Sequence, residues 1–177
     1  MAKKYDPADY MTPFVFPDGI VMYSNMITPD TYEGKTEYRV QVEIGDTQEW
    51  KDALQKLQEF QDARCEAHGK PQQPLTCVKT KDGKKFLKFH SGSPDRFSVV
   101  DKNNQPTTDE PWGGSTVRIF ATPMYYTGFG GGMTLYLTKA MVVEQARDSG
   151  GPSNFNDPFA SSAPKGDAPA DPFAGVN

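Results

Sequence analysis

Between Thr36 and Ile44 apolar and polar residues alternate: Tyr38, Val40, Val42 and Ile44 against Glu37, Arg39, Gln41 and Glu43. A period of two marks a half-buried strand of an antiparallel sheet. The same period returns near the end of the folded sequence. Val117, Ile119 and Ala121 oppose Arg118 and Phe120, and Leu135 and Leu137 oppose Thr134, Tyr136 and Thr138. Phe14 to Ile27 is apolar and β-prone, broken by the turn signal Pro17-Asp18-Gly19. Leu75–Lys79 and Lys85–His90 predict a hairpin across Lys81-Asp82-Gly83-Lys84, since Asp-Gly favours a tight turn. A further short strand is expected within Arg96 to Asp101, followed by a polar connection from Gln105 to Pro111.

One segment has a different period. Trp50, Leu54, Leu57 and Phe60 recur at steps of three and four, which places them on one stripe of an amphipathic helix. Asp46 and Glu49 have the spacing of a capping box, with Asp46 as the cap, and Gly69 and Pro71 end the helix. Trp50 is therefore expected to pack in the core. The pattern predicts a mostly β domain with a single amphipathic helix.

Composition divides the chain. From Ser149 onward it is Gly, Pro, Ser, Ala and Asp, too poor in apolar residues to offset its ordering entropy. The expected organisation is an N-terminal arm over 1–12, a domain over 13–147 and a flexible acidic tail over 148–177. The tail repeats Asp-Pro-Phe at Asp157–Phe159 and Asp171–Phe173, which fits a short docking motif or chance recurrence in a biased segment. No apolar run approaches the ~20 residues of a membrane span. The start, Met-Ala-Lys-Lys-Tyr-Asp-Pro, has no apolar leader segment. Cys65 and Cys77 alone do not make a disulfide framework, so a reducing cytoplasm is expected.

A net charge of −4 argues against a polyanionic ligand until its distribution is considered. Between Lys70 and Lys102, Lys79, Lys81, Lys84, Lys85, Lys88 and Arg96 are among the bases that outnumber Asp82, Asp95 and Asp101. Downstream, Trp112 to Glu144 combines Arg and aromatics with a glycine-rich loop, Gly128-Phe129-Gly130-Gly131-Gly132. Aromatic faces stack on bases while Arg and Lys meet phosphates, so single-stranded nucleic acid suits both segments. The competing reading is ordinary strand packing by the aromatics and simple turns at the glycines. Candidate phosphate contacts are Arg39, Lys79, Lys81, Lys84, Lys85, Lys88, Arg96 and Arg118. Candidate stacking residues are Phe120, Tyr125, Tyr126, Phe129 and Tyr136, with Phe86, Phe89 and Trp112 as further candidates.

Other chemistry finds less support. Cys65, His68, Cys77 and His90 lack the compact spacing of a structural zinc site. The glycine loop lacks the Gly-Lys-Ser/Thr ending of a phosphate-cradling loop. No nucleophile or carboxylate constellation is marked, so no cofactor, metal or catalytic activity is expected. A β-rich protein-interaction module and a metal-dependent nuclease remain as alternatives.

Arg96-Phe97-Ser98-Val99-Val100-Asp101, then Gly113 to Phe120, then Tyr125-Tyr126 with the glycine loop and the run from Leu135 resemble the OB-fold single-stranded-DNA-binding proteins of tailed bacteriophages. The resemblance implies an OB-like antiparallel β-barrel. It further implies sequence-nonspecific protection of single strands in phage DNA replication and recombination, in the cytoplasm of the infected host cell. It also implies a tail that contacts replication or recombination proteins, here through Asp157, Phe159, Asp171 and Phe173; a homodimer is compatible with it. Two features depart from the family pattern. Phe173 is followed by Ala-Gly-Val-Asn instead of ending an acidic run, and the helix follows the second strand instead of the third.

Overall fold

The computed structural model describes residues 6–146. The rest of the arm and the tail, with Asp157, Phe159, Asp171 and Phe173, lie outside the described residues. In chain order the elements are β1 (Phe14–Val15), β2 (Gly19–Tyr32), β3 (Lys35–Glu43), α1 (Gln48–Ala67), β4 (Val78–Lys81), β5 (Lys84–Ser91), β6 (Ser98–Val100), β7 (Thr116–Tyr126) and β8 (Gly132–Glu144). Five strands close a ring in the order β2-β3-β5-β8-β7 and back to β2. The β5–β8 pair is parallel, and the other pairs of the ring are antiparallel. This is the closed OB-like barrel expected, and closure removes the open edges a sheet of this size would expose. β1, β4 and β6 pair with the ring from outside.

On β3, β7 and β8 the inward residues are those that the alternation assigns to the interior, and on β5 they include Leu87 and Phe89, the latter a stacking candidate. Val40, Val42, Leu87, Phe89, Val117, Ile119, Ala121, Leu135 and Leu137 are each no more than 2% exposed. The strictness of this pattern pins the register, because a slip of one residue would turn every one of them to solvent.

Helix α1 differs from expectation at its cap. Thr47, not Asp46, is the N-cap; its hydroxyl accepts the Trp50 N–H at 3.2 Å. Its buried residues are Trp50, Ala53, Leu57, Gln61 and Cys65, while Leu54 and Phe60 sit at the margin. The stripe is rotated toward Gln61, because that side chain finds partners inside. Its amide nitrogen donates to the Gln73 and Pro74 carbonyls, and its oxygen accepts from the Thr76 N–H and hydroxyl. Trp50 is a core residue whose indole N–H donates to the Asp18 carbonyl at 3.1 Å.

The helix lies between the second and third strands of the ring, so the topology is an elaborated one. Residues 6–12, assigned to the arm, are held against the domain. Tyr10 bridges Met124, and the Met11 N–H donates to the Pro123 carbonyl. Buried Asp9 accepts from Arg64 Nε at 2.8 Å and lies 2.9 Å from His68 Nε2. The β2–β3 hairpin is longer than the hydrophobic pattern suggests. It runs to Tyr32↔Lys35 across Glu33-Gly34, whose φ values of 51° and 77° make a two-residue turn matched to the strand twist. The turn between β4 and β5 is built alike, with Asp82 and Gly83 at 52° and 78°. Among the described residues no helix is long and apolar enough to cross a membrane.

Candidate nucleic-acid interface

Residues directly opposite in neighbouring strands point to the same side of a sheet. The register therefore defines one continuous outward face. Tyr23↔Gln41 and Asn25↔Arg39 join β2 to β3, and Gln41↔Lys88 and Arg39↔His90 join β3 to β5. His90↔Tyr136 continues the face onto β8. Lys84 lies on the same side of β5 as Lys88 and His90. Through Lys81↔Lys84 and Lys79↔Phe86, β4 adds Lys81 and Lys79 to it. Lys85 alternates to the opposite side.

The side chains along this face touch in sequence. The Arg39 guanidinium lies 5.3 Å above the Tyr23 ring and pairs with Asp30 at 2.8 Å and Glu37 at 3.5 Å. Arg39 Nε is buried and has no partner among the described residues, which leaves one donor of the fork unused. Lys88 Nζ is 3.0 Å from Glu37. Burial opposes ionisation of Glu37, but the hydrogen bond and charge of Lys88 outweigh it and hold the carboxyl below its usual range. His90 Nε2 is 2.6 Å from the Thr134 hydroxyl, and its ring lies 5.1 Å from that of Tyr136. Burial depresses the His90 pKa; Glu37 opposes the shift and Lys88 assists it. The imidazole is therefore neutral at pH 7 and acquires charge on acidification.

Acids offset part of this charge. Lys84 is 3.6 Å from Glu43, and Lys88 and Arg39 share Glu37. Lys79, Lys81 and Lys85 have no acidic partner among the described residues. The side of the face toward the β4–β5 hairpin is consequently the more positive one.

Two loops flank the face. The β2–β3 turn carries Tyr32, 74% exposed, beside Lys35. The β7–β8 loop carries Phe129, fully exposed with φ at 52°, a conformation that costs a non-glycine residue energy. Beneath this loop is a cavity of about 750 Å³ whose lining includes Asp9, Tyr126, Phe129, Thr134 and Tyr136. The glycines of the loop serve its own tyrosines. A Cβ on Gly131 would collide with the Tyr125 hydroxyl, and one on Gly132 with Tyr126 and Thr76.

Several residues singled out in the sequence lie elsewhere. Tyr125 is 1% exposed, its hydroxyl 3.6 Å from Cys65 Sγ and its ring stacked on His68. Burial and then the Cys65 contact push its pKa up to about 12; it is a core residue that contributes to the lining of that cavity but is not exposed on the face. Phe86 stands on the outward side of β5 but is buried there, and Phe89 is in the core, edge-on to Phe16. Arg118 and Phe120 lie on β7, the one strand of the ring that pairs with neither β3 nor β5. Arg118 is there held by Asp18 through two hydrogen bonds of 2.7 and 3.2 Å. Arg96 is exposed in a 3-10 turn before β6, and half-exposed Trp112 in the loop before β7. Tyr23, Tyr32, Lys35, Gln41 and His90 join the face without having been singled out. For Tyr32 and Lys35 the missed signal is Glu33-Gly34 between two β-prone runs.

Among the described residues this face carries no group of three metal-ligating side chains. Among the described residues, Asp6, Asp9 and His68 form the only group of three metal-ligating side chains within 4.8 Å. Arg64 already bridges the two carboxylates, at 2.8 Å from Asp9 and 3.1 Å from Asp6, and supplies the positive charge that a cation would. Cys65 and His90, imagined with His68 and Cys77 as a zinc set, are engaged separately with Tyr125 and Thr134. Burial drives the Cys77 thiol up to about 12, which keeps it from acting as a thiolate.

No protein-family model matches the chain, and no curated protein sequence does. Solved structures do match its fold. One is gp2.5, a single-stranded-DNA-binding protein encoded by bacteriophage T7, with a TM-score of 0.65 and 19% identity over 90% of this chain and 99% of that one. Another is the single-stranded-DNA-binding protein from bacteriophage Enc34 in complex with single-stranded DNA, with a TM-score of 0.60 and 14% identity over 82% and 95%. A C-terminal truncation of the Enc34 protein matches at a TM-score of 0.58. At these identities the likeness establishes a shared fold.

Proposed function

We propose that the protein binds single-stranded DNA without strong sequence preference, along the outward face of β2, β3, β5 and β8. The observation that carries this reading is the continuity of that face. A cationic side at Lys79, Lys81, Lys84 and Lys88 adjoins a row of Tyr23, Arg39, His90 and Tyr136, between loops bearing Tyr32 and Phe129. OB-folds bind oligonucleotides on this same part of the barrel, the second and third strands with the loops that follow the first and fourth. A fold neighbour holding single-stranded DNA supports the choice of ligand. Phosphates run along the lysines and bases stack on the aromatics. No base edge is read, because every base has a π-face.

In this reading the protein coats single strands during phage replication and recombination in the host cytoplasm and catalyses no reaction. The Asp157–Phe159 and Asp171–Phe173 segments are then proposed contacts for replication or recombination proteins. The deciding experiment is a salt titration of binding to single-stranded oligonucleotides. Log affinity should fall linearly with log salt, with a slope of about −0.7 for each phosphate neutralised. Binding of a protein partner with no salt-dependent binding of DNA would favour the interaction-module reading instead.

A further inference from the structure

The cavity beneath the β7–β8 loop is not explained by a nonspecific face alone. Its volume of about 750 Å³ lies within the roughly 300–1,000 Å³ of small-ligand sites. It adjoins the face directly: Tyr136 and Thr134 line it, and both contact His90. Its wall is aromatic, with Tyr126, Phe129 and Tyr136, whereas Asp6 and Asp9 bring carboxylates to it. One oxygen of Asp9 is shared by Arg64 and His68; the other accepts no hydrogen bond among the described residues. Arg64 offsets one of the two carboxylates, so the balance here is one negative charge in excess, opposite in sign to that of the lysine hairpin.

We infer that this cavity is a pocket for one unpaired nucleobase, at the Tyr136 end of the DNA-binding face. The inference rests on the proposed function. The carboxylate charge left over by Arg64 disfavours a phosphate beside Asp6 and Asp9. A flat, uncharged ring is admitted between the aromatic side chains, and its polar edge meets the Thr134 hydroxyl and the open Asp9 oxygen. The strand follows the lysines by its phosphates and turns one base inward where cations give way to carboxylates. Phe129, fully exposed at positive φ on the loop above, is the side chain placed to cover that base. One nucleotide of the bound strand is therefore held differently from the rest.

An abasic walk tests this. The full-length protein is titrated with oligothymidylates of about eight nucleotides, within the span of one OB-fold, each carrying an abasic residue at a different position. One position should lose roughly five- to a hundredfold in affinity, the value of a stacked base, and clearly more than its neighbours. Phe129→Ala should flatten the profile by weakening binding of the unmodified strand while leaving the abasic one nearly unchanged. Phe129 packs on nothing that folding needs, so the variant tests the pocket and not stability. Lys84→Ala with Lys88→Ala should weaken all the oligonucleotides alike. A uniform abasic profile, or a peak that survives Phe129→Ala, overturns the pocket and leaves DNA binding standing. Failure to bind any of the oligonucleotides overturns the proposed function itself.

Discussion

Two outward surfaces of the barrel carry the same kinds of residue and are not equivalent. On β7, Arg118 and Phe120 alternate with the core residues Val117, Ile119 and Ala121, as Arg39 and Gln41 on β3 alternate with Val40 and Val42. On β7, however, the guanidinium is held along one edge, through Nε and one Nη, by a single carboxylate, Asp18. On β3 the guanidinium is spread over Asp30, Glu37 and the Tyr23 ring and still has an unused Nε. The neighbours differ too. β3 adjoins β5 and through it the β4–β5 lysines, whereas β7 is bordered by β1, β2 and β8. An arginine beside an aromatic residue becomes an interface only where adjoining strands extend the same charge and shape.

The contrast can be broken at several points. The largest effect is expected from Tyr125→Ala, which removes a fully buried ring from under the glycine loop. Chemical denaturation should show a loss of about 3–5 kcal/mol, as for other large buried aromatics. Full stability with selective loss of DNA binding would return Tyr125 to the interface. Next comes the hairpin. Lys79, Lys81, Lys84 and Lys88 changed together to Ala should flatten the log–log salt slope by up to about 0.7 for each phosphate that is no longer neutralised. Arg118→Ala should leave that slope unchanged and cost no more than about 1 kcal/mol of stability, because its partner is a surface carboxylate. An Arg118 effect comparable to that of the lysines would make β7 part of the groove.

Stacking separates the surfaces more finely. Tyr136→Ala should weaken DNA binding by roughly 1–3 kcal/mol, while Phe120→Ala should leave affinity intact; fluorescence anisotropy at fixed salt reads both. The smallest effect concerns pH. His90 has a depressed pKa in the folded protein, so the unfolded chain binds its proton first, near pH 6.5. The stabilising contribution of neutral His90 is complete above that pH and declines as pH falls toward the folded value. A nearby phosphate favours the charged imidazole, so affinity for DNA should rise on acidification, as pH falls toward the depressed His90 pKa. Each unit by which binding raises this pKa is worth about tenfold. A His90→Gln variant should lose that rise, and an unchanged pH profile in the variant would remove His90 from the ligand's path.

Much of this architecture is local information. Alternation in 36–44, 117–121 and 134–138 states which residues face the core, because side chains of a strand point to opposite sides in turn. Carried four residues beyond Ala121, the same parity assigns Tyr125 to the inside and Tyr126 to the outside; carried two residues on from Leu87, it assigns Phe89 to the inside. Those two aromatics were legible as core. Asp-Gly and Glu-Gly between β-prone runs state where the chain reverses, because both turn residues must tolerate positive φ.

What local pattern cannot state is which strands become neighbours. Whether Arg118 or His90 belongs with Arg39 depends on which strand pairs with β3, and the β3–β5 pair that joins Arg39 to His90 is a contact between segments about 50 residues apart. Partnering of charges is likewise nonlocal. Asp18 reaches Arg118 across 100 residues, and Glu110 takes the N–H groups of Met26, Ile27 and Thr28 from more than 80 away. Alternation thus determined the inside and outside of the segments 36–44, 117–121 and 134–138, since that follows from backbone geometry alone. Closure decided which outside residues form one surface, since shared surface requires the non-neighbouring segments to pair in a particular register.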